Sequence, residues 1–297
     1  MSVAATTMAS PTTSQVVPRE RRHPVLTRFL RHRLAVSGVV VIAVMIAVAI
    51  AAPVLAPYDP IGLGDVQLAP PSRQHWLGTD DFGRDVLSRL IYGSRISLEV
   101  ALISVSIALV AGTVIGVVSA YFGGWLDTAL SRTNDVIFSF PDILLAIGLM
   151  AMLGPSLRNV MIALGIIYTP IFARVCRAST LVVLTHQYLD AARVTGVPHR
   201  MILWRHVLPN ILAPLIVQTS VTFAFAILTE AALSFIGLGA QPPTPSWGLM
   251  LNAARQLVYT NAWLSVYPGV AIMLAVLSFN FIGDGLQDAL DPRAQRH

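Results

Sequence analysis

The sequence predicts an all-α, polytopic membrane protein: a bundle of six transmembrane helices with an external interfacial helix and further helices in a cytoplasmic loop. Three observations predict it. Of 297 residues, 55% are hydrophobic and 12% charged, whereas soluble domains carry about 25% charged residues. The mean hydropathy of the whole chain is +0.69, so the apolar excess is not confined to one anchor. The apolar residues also gather into runs of about 20, the length a helix needs to cross a hydrocarbon core of about 30 Å.

The elements follow in chain order. Residues 1–33 read as a cytoplasmic N-terminal tail. Residues 1–18 are aperiodic Ser, Thr, Ala, Pro and Val, a disordered composition. Arg19, Arg21, Arg22, Arg28, Arg31 and Arg33 follow, then the uncharged run Leu34 to Leu55, which sets the first transmembrane helix at 34–57. Small residues from Ala49 to Ala52 would suit a cleaved signal peptide, but the long arginine-rich lead and over-long apolar run favour a retained anchor. Five more spans are expected at 97–120, 132–153, 159–178, 210–236 and 264–286, within a five-helix core of 97–290 that ends in a cytoplasmic C-terminus, 291–297. Six crossings put both termini on one side, and the arginine-rich N-terminus makes that side cytoplasmic.

The segment 58–96 is too polar to span. Thr79 is the expected N-cap of a short helix. Val86, Leu87, Leu90 and Ile91 then share one face, with Asp85 and Arg89 opposite, as in a helix lying along the outer interface. In the second span, Gly112 and Gly116 form a small-xxx-small pair that permits close helix approach.

Several chemistries are excluded. All twenty basic residues are Arg, so there is no phosphate-binding lysine loop and no Schiff-base lysine. Cys176 is the single cysteine, which rules out an intrachain disulfide and a cysteine zinc site. Asp81-Phe82-Gly83 spells a kinase magnesium triplet without the lysine or catalytic loop that would give it meaning. His75, Asp80, Asp81 and Asp85 are irregularly spaced for a metal, so no metal ligands and no catalytic residues are assigned. The net charge of +5 fits basic cytoplasmic loops rather than nucleic acid.

Intramembrane polar groups are functional candidates by default. Asp142, Glu230 and Asn280 are those candidates here. Glu230 can line a pore, pair with an Arg of a partner, or serve as a structural hydrogen bonder. Asp135 is expected to pair with Arg132, three residues back. A proton-coupled transporter would have to use Glu230 and Asp142 as its relay.

The longest cytoplasmic loop, 179–209, reads helix, break, helix, break. Residues 186–195 form helix readily, and Gly196 stops it by taking a left-handed conformation. Pro198 suits the first turn of a second helix, and Pro209 marks the start of the fifth span. Met201, Ile202, Trp204 and Val207, with Arg200 and Arg205 among them, gather on no single face. Large apolar and Arg side chains suit protein docking; packing on the membrane surface is the other option.

Here the sequence resembles a known family. Asp190-Ala191-Ala192, then Gly196 after three residues, then Leu208-Pro209, is similar to the EAA loop of bacterial ABC-importer permeases, with Asp190 where that family has Glu. His75-Trp76-Leu77-Gly78-Thr79-Asp80 and Gly83-Arg84-Asp85 resemble the external segment of the second permease subunit of dipeptide, oligopeptide and nickel importers. The segments Tyr121 to Asp127, Phe140-Pro141, Leu233 to Gly248 and Asn280 to Pro292 match in the same order.

The resemblance implies a non-catalytic subunit in the bacterial inner membrane, forming half of a pathway with a homologous second permease. Two ATPase subunits would use ATP and Mg²⁺, with no cofactor bound by this chain, and an extracytoplasmic binding protein would deliver substrate. It implies peptides as cargo, with nickel chelates, opines or glycans as alternatives. It assigns ATPase coupling to Asp190, Ala191, Ala192, Gly196, Pro198, Arg200, Met201, Trp204, Leu208 and Pro209.

Overall fold

The computed structural model describes residues 24–290; most of the tail, including Arg19, Arg21 and Arg22, and the C-terminus 291–297 lie outside the described residues. Helix α1 (Pro24–Arg31) lies in the segment read as tail, and α2 (Arg33–Ile50) with α3 (Ala52–Leu55) covers the first expected span up to Leu55. His32 caps α2, its Nδ1 accepting the Ala35 N–H at 3.1 Å.

The chain from 56 to 85 is a folded loop, and α4 (Val86–Phe122) starts later than expected. Its N-cap is Asp85, whose Oδ2 accepts the Ser88 N–H at 2.8 Å. Thr79 is instead a buried brace that accepts from Ala69 N–H and donates to Val66 C=O, both at 2.8 Å. Gly78 and Gly83 explain the shift: they hold φ at +79° and +75°, a left-handed geometry that no helix through Thr79 can contain.

The expected interfacial helix is the first few turns of α4, which continues unbroken into the second span. At 1.5 Å per residue it is about 55 Å long, so one end projects well beyond a hydrocarbon core of about 30 Å. Asp85 and Arg89 do not face away from the protein; both are buried. Arg89 donates to Pro60 C=O at 2.8 Å and lies 3.4 Å from Asp80, which also holds Arg84 at 2.7 Å. His75 Nδ1 lies 3.0 Å from Asp85 Oδ1. Of the acidic residues weighed as metal ligands, Asp80 and Asp85 are thus committed to Arg, His and backbone partners. Asp81 lies beside them with its carboxyl pushed above the usual range, by burial first and by Asp80 second.

The third expected span, 132–153, is not one helix. It is α5 (Gly124–Phe138) and α6 (Asp142–Leu153), bent by 92°. Pro141 is the cause: it lacks an N–H and pushes Phe140 out of helical geometry. The molecule therefore has five helices long and apolar enough to cross a membrane, or six if the bent pair counts as one, among the described residues.

Helix α7 (Leu157–Leu184) begins on the Ser156 cap and runs six residues past its expected end at 178. The helices α8 (Gln187–Val194) and α9 (His199–Ile202), a π turn (Leu203–Val207), α10 (Leu208–Phe235), α11 (Trp247–Ala254) and α12 (Trp263–Leu290) complete the described chain.

The core forms where α4 lies along α7. A Cβ on Gly112 would sit 2.6 Å from the Thr169 carbonyl oxygen, and one on Gly116 would sit 2.6 Å from Cys176 Cβ. These two glycines let the backbones meet, with Phe172 packed directly against Gly112; Leu164 and Ile227 belong to the same buried core. Trp247 seals the far end of the bundle, its Nε1 donating to Leu90 C=O at 3.1 Å.

Candidate functional site

The loop between α7 and α10 is built as a bracket of two short helices. Helix α8 ends in a Schellman turn: Val197 N–H reaches Ala192 C=O at 3.1 Å and Gly196 N–H reaches Arg193 C=O at 3.0 Å. Gly196 takes φ +76°, and a Cβ there would meet nothing within 4 Å, so conformation rather than space selects glycine. Pro198 is the N-cap of α9, one position before the expected first turn, and its carbonyl accepts from Met201 N–H at 2.9 Å.

The expected break at Pro209 is absent. Residues His199 to Phe235 form one continuous rod through the π turn, where Leu208 N–H bonds to Leu203 C=O. A π turn widens the helix by one residue. That widening falls just where the Pro209 ring would otherwise collide with the carbonyl four residues back.

The apolar residues of this loop divide into two sets. Leu189, Ile202 and Val207 are buried and anchor the loop to the bundle. Val194 and Trp204 are 87% and 66% exposed, and Met201 and Tyr188 are also exposed. Asp190 and Arg200 lie beside them at the surface. Asp190 Oδ1 is 3.4 Å from Arg193 Nη1, an exposed pair across one helical turn.

Aromatic side chains tie the bracket to the bundle and to itself. Tyr121 Oη lies 2.6 Å from His199 Nδ1, linking the end of α4 to α9. Tyr188 packs against His206 with ring centroids 5.9 Å apart and its hydroxyl accepts from Asn210 at 3.3 Å. Sequence reasoning missed Tyr121, Tyr188 and Val194 as part of this site. Tyr121 carried a signal, because it heads the matched segment Tyr121 to Asp127; the other two carried none.

The candidate intramembrane residues do not converge. Glu230 has no exposure; it accepts from Ser97 at 2.9 Å and Ser234 at 2.7 Å, and the Ser246 hydroxyl also bonds to it. These bonds join α10 to α4 and to the start of α11. Asp142 is exposed at the start of α6, and Asn280 is half-buried on α12. Asp135 pairs with Arg174 of α7, 3.3 Å away, and not with Arg132. Among the described residues, no group of three or more His, Cys, Asp and Glu is placed to hold a metal ion.

Comparison with known proteins gives this geometry its class. The family model for "binding-protein-dependent transport system inner membrane component" matches residues 112–296, and that for the "N-terminal TM domain of oligopeptide transport permease C" matches residues 23–71. The chain is 46% identical over 265 residues to the dipeptide transport system permease protein DppC of Alkalihalophilus pseudofirmus, covering 89% of this chain and 87% of that one. It is 43% identical over 268 residues to the glutathione transport system permease protein GsiD of Pectobacterium atrosepticum, covering 90% and 89%. Its fold is similar to a chain of the inward-facing MetNI methionine ABC transporter, with TM-score 0.56 and 18% identity over 68% of this chain and 97% of that one. These likenesses define a permease subunit of an ABC importer. The chain belongs to the family of inner membrane components of binding-protein-dependent transport systems, and its N-terminal part is of the oligopeptide permease C type.

Proposed function

We propose that this chain forms half of a transmembrane pathway for di- and oligopeptides and receives its driving force through the loop at 186–209. A homologous second permease supplies the other half. Two ATPase subunits bind and hydrolyse ATP with Mg²⁺ and seat the exposed loop residues Val194, Met201 and Trp204. Both termini lie in the cytoplasm of a bacterial inner membrane, and a binding protein delivers substrate to the opposite end, near 58–96 and 240–262.

One observation carries the reading. The exposed apolar residues stand on a bracket whose second arm is continuous with α10, so a push on Trp204 moves a membrane-spanning rod. Peptide as cargo rests on the relatives, which are named for dipeptide and glutathione transport. The enclosed, fully bonded Glu230 supports a fixed structural role over a proton relay.

The test is co-purification of the tagged chain with its ATPase. Trp204→Asp places a charge in the centre of an apolar contact, where hot-spot losses run to about 2 kcal/mol or more. Recovered ATPase should fall roughly tenfold or more while the thermal midpoint of the permease stays unchanged. Undiminished recovery would sink the docking role. Uptake of a dipeptide by the complete importer on ATP tests the cargo, and uptake by the purified chain alone on a proton gradient would overturn the subunit reading.

A further inference from the structure

Two Asp–Arg pairs join α5 to α7, and they are built differently. Asp127 and Arg177 are locked: Nε to Oδ1 is 2.7 Å and Nη2 to Oδ2 is 2.7 Å, with Ser119 and Ser131 also donating to Oδ1. Asp135 and Arg174 touch through one contact of 3.3 Å, and their side chains are 54% and 62% exposed. The Arg174 guanidinium is held on one side by the Phe138 ring, 4.2 Å from its centroid.

Depth makes the open pair informative. Arg174 is about 25 Å along α7 from Leu157 and about 15 Å from Leu184. A hydrocarbon core of about 30 Å centred on that helix places Arg174 about 10 Å inside its edge. Asp135, about 16 Å along α5 from Gly124, lies at the same level. A short aspartate side chain cannot reach an interface from there. Ionisable groups at such depth face a bundle interior or a water-filled cavity, and this pair does not face the interior of its own chain. Beside it opens a cleft of about 220 Å³ lined by Ser131, Asn134, Asp135, Arg174 and Arg177. Ile115, Gly116 and Ala173 give it a mixed lining, and the cleft is roomy enough for water, which its charged side can bond.

We infer that Asp135 and Arg174 form a transit site on the pathway wall for the two charged ends of a zwitterionic peptide. This rests on the peptide-importer reading. The guanidinium offers a two-pronged donor set for a terminal carboxylate, and the aspartate accepts from a terminal ammonium. The single long contact between the two leaves both available. A weak site is what conduction needs, since a tight one would hold its cargo.

The test uses the complete importer in proteoliposomes, with Cys176→Ala to remove the only thiol of this chain and Asn134→Cys as a reporter inside the cleft. A charged, membrane-impermeant maleimide should alkylate the reporter from water. Excess alanyl-alanine should slow alkylation roughly fivefold, as site occupancy requires at several times Kd. The N-acetylated, C-amidated form should not slow it, and Asp135→Asn or Arg174→Gln should abolish the protection. A reporter that water cannot reach means that lipid or the second permease covers the cleft, and the proposal falls. Alkylation without protection also overturns it. Dipeptide uptake by the unmodified importer is measured alongside: uptake without protection brings down this site alone, whereas no uptake brings down the peptide reading and the site with it.

Discussion

Leucine at Gly116 should abolish the folded bundle. A Cβ there already meets Cys176 Cβ at 2.6 Å and Arg177 N at 2.9 Å, and the Ala173 carbonyl oxygen is closer still. These neighbours are mostly α7 backbone, which cannot rotate aside as a long side chain can. Overpacking a core costs about 1–3 kcal/mol when side chains absorb the strain; here the two central helices must part. The expected result is loss of the monodisperse peak in detergent. Gly148→Leu is the matched control, because a Cβ at Gly148 meets nothing within 4 Å. A Gly116→Leu chain that purifies with an unchanged thermal midpoint would refute the packing account.

Glu230→Leu should be the second most damaging single change. Glu230 gathers hydroxyls from three elements, Ser97 of α4, Ser234 of its own helix and Ser246 at the head of α11. Leucine fills much of the volume and bonds none of them. Each buried hydroxyl left without a partner costs about 1–3 kcal/mol. Ser234 and Ser246 each still accept one bond, from the Ala240 N–H at 3.1 Å and the Leu249 N–H at 3.2 Å, but their own O–H groups lose their acceptor. Glu230→Gln keeps the shape and two polar atoms, so its thermal midpoint should remain near that of the unaltered chain while Glu230→Leu falls well below it. Equal midpoints for the two variants would mean that the hydrogen bonds contribute nothing.

The membrane spans were legible because lipid imposes one demand, length of apolar helix, and Leu34 to Leu55 states it openly. The bend at Pro141 was less legible. Hydropathy stays high from Val136 to Leu145, and it does not record that the proline ring turns the chain. The start of α4 was misplaced for a related reason. Thr79 and Asp85 are both good caps, and the deciding residue is Gly83 between them, whose positive φ only the folded loop reveals. Arg132 was chosen for Asp135 by a local spacing rule, whereas Arg174 comes from another helix 39 residues on. In the loop, Gly196 could be read because left-handed geometry selects glycine almost alone. The division of Ile202 and Val207 from Met201 and Trp204 could not be read, because the π turn sets which way each one points.

That π turn also bears on how motion is delivered. Each residue of a helix advances its phase by about 100°, so a surplus residue is a stored twist in an otherwise uniform shaft. If the widening migrates one position along the shaft, the segment it crosses turns about the long axis while α10 below it stays in register with its neighbours. In the proposed importer, torque as well as thrust then becomes a route from Trp204 into the membrane.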